Sequence, residues 1–248
     1  MTPNPYEPPT SAVELRSDIV DRTQRDEFAE SIRRFLDESI TAFEFDELVD
    51  NYRDSQDSAV RFVAQAVWYH YDDCDDHLVS LSKPEWDYFQ RLLLLLESNS
   101  RVQSRNSRRW SVSQLVALCS LLGFAWIAFH IGWSSGLLLA AMPFGIISIG
   151  IARLQRPVAT HGPYDQLVFP FKTLSDLRAT YHAVKFRKTR FPQHIQSRIV
   201  RSPFMCGVYQ LQFYLAWLML SPLALVSQLL PATETHTEVI VESSANVA

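Results

Sequence analysis

The chain has 248 residues, 20% of them charged, with 27 acidic against 23 basic side chains. Three scattered cysteines exclude a disulfide framework, and seven glycines form no GxGxxG, GxxxxGK or GxSxG loop. The net charge of −4 averages two unlike halves: residues 1–100 hold 22 acidic and 9 basic residues, whereas residues 101–248 hold 5 acidic and 14 basic.

Residues 1–17 are rich in proline and read as a disordered leader, with no apolar run of the kind a signal peptide needs. Residues 18–98 then show helical spacing. Phe28, Ile32, Phe35 and Leu36 form one stripe. Thr41–Tyr52 fits either a short helix or a turn with Phe43, Phe45 and Leu48 inward. Val60, Val63, Ala64, Val67, Trp68 and Tyr71 form another stripe behind Asp57, a candidate N-cap. Ser82-Lys-Pro-Glu85 is a capping box that opens a helix carrying Trp86, Phe89, Leu92, Leu93 and Leu96. Amphipathic helices of this kind must bury their stripes on each other, which predicts a small acidic helical domain.

Residues 99–111 read as a basic linker. The 43 residues from Trp110 to Ala152 contain no Asp, Glu, Lys or Arg, and neither do the 32 from Ser202 to Thr233. The first run predicts a transmembrane hairpin over 112–152, Val112–Ile131 followed by a turn at Gly132–Gly136 and Leu137–Ala152. The second predicts a third span over 204–230, kinked at Pro222. Between them, residues 153–203 form a basic loop with an amphipathic helix marked by Leu174, Leu177, Tyr181 and Val184. Its Lys172, Arg178, Lys185, Arg187, Lys188 and Arg190 suit an anionic membrane surface. The alternative is docking on the acidic domain; adjacency to lipid favours the leaflet. Residues 231–248 form an acidic tail.

Lys and Arg precede the first span and fill the central loop, but are absent from the hairpin turn and the tail. The positive-inside rule then predicts a multi-pass inner (cytoplasmic) membrane protein, N-terminus inside and C-terminus outside. The expected fold class is all-α: a small cytoplasmic helical domain plus three transmembrane helices.

Candidate chemistry is sparse. Trp68–His77 (WYHYDDCDDH) offers His70, Asp72, Asp73, Asp76 and His77 as ligands for a divalent cation. The spacing matches no established ligand pattern, so a solvated acidic turn with His70 half-buried against a neighbouring helix is preferred. Cys74 stands among aspartates that disfavour its thiolate. His130, Gln210, Gln212 and Gln228 sit near span ends, and no charge lies at mid-span. Gly132/Gly136 and Ala141/Gly145 are small-residue pairs that pack the hairpin or join it to a second copy of the chain. No catalytic constellation or cofactor motif is present, and the basic stretch lacks the aromatics that stack nucleic-acid bases.

Two segments resemble known sequences. Asn4-Pro-Tyr-Glu-Pro-Pro9 resembles the leader of many planctomycete membrane proteins. Phe35–Glu47, Trp68–His77 and Lys83–Ser98 resemble a bacterial family of unknown function. The resemblance implies a recurring helical domain and carries no activity. The function expected is therefore a non-enzymatic anchored module that presents its helical domain to a protein partner at the inner leaflet. The alternatives are a metal-dependent protein using residues 70–77 and a small transporter or channel subunit.

Overall fold

The computed structural model describes residues 19–72, 75–132, 134, 136–155 and 165–241. The leader, Asp73, Cys74, Trp133, Arg156 and the end of the tail lie outside the described residues. The chain divides into two compact units. Residues 1–103, 164–200 and 237–248 make the first; residues 104–163 and 201–236 make the second.

In the first unit, α1 (Arg22–Leu36) starts where the Asp21 side chain accepts from the Gln24 N–H, and it buries the expected stripe Phe28, Ile32, Phe35 and Leu36. The ambiguous segment is a helix, α2 (Ala42–Asp50), closed by a Thr41/Glu44 capping box. Phe45 points in and stacks on Phe35, while Phe43 stays exposed. Asp57 caps α3 (Ser58–Trp68) as expected. The fourth helix, α4 (Lys83–Glu97), has the predicted capping box and buries Trp86, Phe89 and all five consecutive leucines from Leu92 to Leu96. A helix apolar on every side has to be central, and α4 is in contact with α1, α3 and α8 (Leu174–Val184).

A buried ion pair staples these helices. Arg25 Nε and Nη2 donate to the two Asp57 carboxylate oxygens at 2.6 and 2.8 Å, and Nη1 donates to the Ser98 carbonyl at 2.6 Å. Both side chains are 0% exposed. Asp57 also accepts from the backbone N–H groups of Asp21 and Ala59. One carboxylate thus joins the starts of α1 and α3, and the guanidinium adds the end of α4.

The basic loop belongs to this unit. Its short helix α7 (Asp165–Val168) contributes Val168 to the core, the bend before α8 Phe171, and a 3₁₀ turn (Gln193–Ser197) Ile195. Polar contacts follow. Arg91 Nε donates to the Phe169 carbonyl at 2.7 Å, Trp86 Nε1 to the Thr189 carbonyl at 3.2 Å, and the Thr189 N–H to Gln90 Oε1 at 2.9 Å. The helical domain is therefore larger than residues 18–98.

In the second unit, α5 (Val112–Ile131) and α6 (Gly136–Leu154) are the predicted hairpin, and each is long and apolar enough to cross a membrane. Most of their large side chains face outward, with Phe129 at 86% exposure, as expected of helices solvated by lipid. The third apolar run departs from the expected kinked rod. It breaks into α9 (Pro203–Met219) and α10 (Ser221–Gln228), bent by 76°. Pro222 has no N–H, and its ring opposes the carbonyl four residues back, so the helix ends at Leu220 and restarts. Ala117 of α5, Ile151 of α6 and Leu225 of α10 form the small core.

The fold is mostly helical, with one departure from the all-α expectation. The linker and the tail contain strands, β1 (Arg101–Arg109) and β2 (Ala232–Ile240), hydrogen-bonded into a two-stranded sheet.

Candidate interaction surfaces and the acidic turn

The acidic turn after α3 is folded on itself. The His77 ring nitrogen Nε2 accepts from the Asp72 N–H at 3.0 Å, and Nδ1 lies 2.7 Å from the Leu78 carbonyl. With Nε2 as acceptor, the proton sits on Nδ1 and donates to that carbonyl, which occupies both nitrogens. Asp76 accepts from the Phe43 N–H at 3.1 Å, and the His77 carbonyl accepts from the Ala42 N–H at 2.8 Å, so the turn satisfies the open first turn of α2. His70 is half-buried, with its ring 5.4 Å from Tyr88 and 5.5 Å from Phe89, and Nδ1 3.7 Å from Glu85. Burial works against the Glu85 carboxylate, but the Ser82 hydroxyl and N–H, with His70, outweigh it and hold its pKa below the ordinary range. Burial first, and then the Asp46 carboxylate, push the Tyr71 phenol far above its ordinary pKa. Among the described residues, no group of three or more His, Cys, Asp or Glu side chains is placed to hold a metal ion. Asp73 lies outside them.

The basic residues divide by what they face. Lys188 pairs with Asp87, Lys172 with Glu238 at 3.3 Å, and Arg198 with Glu38 at 2.8 Å. Burial alone would raise the Glu38 pKa; the Arg198 hydrogen bond and charge, helped by His194, bring it below the ordinary value. Arg178, Lys185, Arg187 and Arg190 are exposed and form no ion pair among the described residues. On α8, Leu177, Tyr181 and Val184 pack into the domain core, leaving Leu174, Arg178 and His182 outward. The apolar face that would enter lipid from an interfacial helix is thus covered by protein. What the loop leaves outward is mainly charge, with Leu167, Leu174 and Ile199 as isolated exposed apolar side chains.

Two further features were not legible in the sequence. Tyr69 is 72% exposed beside Trp68, which lies under the Arg53 guanidinium at 5.0 Å. Arg53 in turn pairs with Asp46 and Asp50 of α2. The result is an aromatic pair with an ion-paired Arg53 lying on the Trp68 ring. A polar cleft of ≈400 Å³ lies at the start of α4, lined by residues 80–85 with Ile195, Gln196 and Arg198.

Of the small-residue pairs, Ala141 and Gly145 face neighbours within the chain. The Ala141 carbonyl accepts from Ser221 Oγ at 2.8 Å, and a Cβ on Gly145 would sit 2.8 Å from Leu218 Cα. Gly132 takes φ 72°, a left-handed conformation that glycine alone adopts freely, and ends α5. No family model matches this chain, and no curated protein and no solved structure is similar enough to count as a match.

Proposed function

We propose that the protein is a non-enzymatic interaction module anchored in the cytoplasmic membrane, its helical unit facing the cytoplasm and engaging a protein partner. The exposed Trp68–Tyr69 pair carries this reading. Aromatic side chains are the strongest anchors of protein interfaces, and this pair stands out from a unit whose Phe28, Phe35, Phe45, Trp86 and Phe89 are buried. Arg53, paired with Asp46 and Asp50, lies on the Trp68 ring and holds it in place for such a contact. The cytoplasmic assignment is supported by Arg101, Arg105, Arg108 and Arg109 before α5 and the cations of the central loop, against none between Gly132 and Gly136. In the acidic turn His77 holds the Asp72 N–H and Asp76 the Phe43 N–H, and among the described residues no cluster is placed to hold a metal ion.

The test is a photo-crosslinker at position 69 of the full-length protein in native membranes. The expected result is a discrete adduct that Trp68→Ser abolishes while membrane insertion is unchanged. An adduct of twice the chain mass identifies the partner as a second copy. A blank, or an adduct indifferent to Trp68→Ser, overturns the reading.

A further inference from the structure

We infer that the third apolar run does not cross the membrane: α9 and α10 enter and leave on one face, the face that carries both strands and the central loop. The inference deepens the proposed function. It rests on the second unit lying in a bilayer, and it confines every folded polar segment to one side, leaving the turn between α5 and α6 as the segment that emerges on the other.

Hydrogen bonds within the second unit give the levels of each helix end. Gln155 Nε2, just past α6, donates to Ser113 Oγ at the start of α5 at 2.8 Å. The hairpin therefore leaves at the level where it entered. Gln114 Nε2 donates to the Leu230 carbonyl, just past α10, at 3.3 Å, so the third run also ends at that level. Along α6, Ser221 Oγ meets the Ala141 carbonyl and Gln228 Nε2 meets the Ser148 carbonyl at 2.9 Å. Both steps are seven residues, about 10 Å of helix. The tenth helix thus runs beside α6 in the same direction, back toward Gln155.

The start of the run follows from charge. Between Gln155 and Ser202 the chain has nine Lys and Arg and two Asp. Each such residue costs roughly 2.5–3.5 kcal/mol at the bilayer centre, so this segment does not cross, and α9 begins where α6 ended. A run that begins and ends at one level makes a re-entrant corner. Broken backbone at membrane depth needs cover from protein, and α6 covers one side of this corner while Leu220 and Leu223 face outward. Ser221 is 0% exposed, its hydroxyl is bonded to α6, and Gly145 gives Leu218 room to approach. The β1–β2 ladder supports the same conclusion independently, since residues 104–109 precede the first crossing and residues 232–236 follow the third run.

The experiment uses the full chain with Cys74, Cys119 and Cys206 replaced by Ser, in sealed membrane vesicles of known orientation. Single cysteines are introduced as Ser104→Cys, Ser134→Cys and Ile240→Cys and labelled with a membrane-impermeant maleimide. The expected result is that Ser104→Cys and Ile240→Cys label from one face and Ser134→Cys from the other. Labelling of Ile240→Cys together with Ser134→Cys overturns the inference. Labelling of Ser104→Cys and Ser134→Cys from the same face removes the membrane reading and the inference with it. Reporter fusions at Met1 and Ala248 of the unsubstituted chain give a second readout: activity in the same compartment supports the re-entrant corner, activity in opposite compartments refutes it. A blank crosslink at position 69 would defeat the proposed partner contact and leave these labelling patterns untouched.

Discussion

Replacing Arg25 by Met should unfold the first unit more readily than any surface change. Arg25 and Asp57 are both fully buried, and the guanidinium makes two hydrogen bonds to the carboxylate and one to the Ser98 carbonyl. Methionine keeps the length and apolar character of the stem but leaves the Asp57 charge with backbone donors only. Breaking one side of a buried pair costs about 3–5 kcal/mol, because the other charge stays behind unpaired. For a unit of this size each kcal/mol lowers the melting temperature by roughly 2–4 °C, so the expected drop is about 6–20 °C. Asp57→Asn should cost a similar amount, since asparagine still caps α3 but strands the guanidinium. The double variant is the sharper test. If the two groups act as one unit, it loses about as much as either single change rather than their sum. The assay is thermal unfolding of the full-length protein in detergent micelles, followed by near-ultraviolet circular dichroism. A drop below about 2 °C for Arg25→Met, or strict additivity in the double variant, would refute the argument that this pair staples α1, α3 and α4.

Gly145→Ala and Gly150→Ala should move in opposite directions in a thermal-stability assay in detergent. A Cβ at 145 would meet Leu218 Cα at 2.8 Å and Cδ2 at 2.7 Å, whereas nothing lies within 4 Å of one at 150, where alanine gains roughly 1 kcal/mol of helix propensity. Glu38 titrates below its ordinary 4.5, so its contacts with Arg198 and His194 stabilise above that pH and fade as pH falls through the lower folded value. Glu38→Gln should therefore flatten the acid limb of stability against pH and speed tryptic cleavage after Arg198 at neutral pH; an unchanged limb would remove the clasp. In nanodiscs, hydrogen exchange over residues 174–190 should slow when anionic lipid replaces zwitterionic lipid. The effect should vanish when Arg178, Lys185, Arg187 and Arg190 are all changed to Gln, as each cation near the surface contributes about 1 kcal/mol. Equal exchange in both lipids would mean these side chains do not reach the leaflet.

Local signals in the sequence located the helices well and the pairings between distant segments poorly. The bounds of α5, the capping box of α4 and the Asp57 cap were readable because each depends on residues within a few positions. The Thr41–Tyr52 segment was undecided because its capping box stood unrecognised, and the N–H groups it leaves open are met by Asp76 and His77 more than thirty residues away. The strands were missed for a different reason. Thr233, Thr235, Thr237 and Val239 alternate along β2 with the period of a strand. Its partner β1 is rich in arginine and resembles a linker, and the two are separated by the whole apolar part of the chain. For the basic loop, net charge pointed to lipid, while the decisive feature was the run of leucines in α4. Five in succession cannot all face one side of a helix, so some had to be covered by something beyond α1 and α3. Val168, Phe171 and Ile195 belong to the same buried core.

That docking changes what charge can do in this protein. An amphipathic helix lying free on a leaflet would draw on both its apolar face and its cations. Here Leu177, Tyr181 and Val184 are buried in the domain, and Lys188 and Arg198 are paired with Asp87 and Glu38. The net attraction to an anionic surface therefore falls to the few cations left facing outward, and the acidic remainder of the unit repels the same surface. Partial cancellation of this kind makes any surface contact sensitive to ionic strength over a Debye length of about 8 Å at physiological salt. A firm hold on a membrane must then come from the apolar helices of the second unit, two of which are long and apolar enough to cross it.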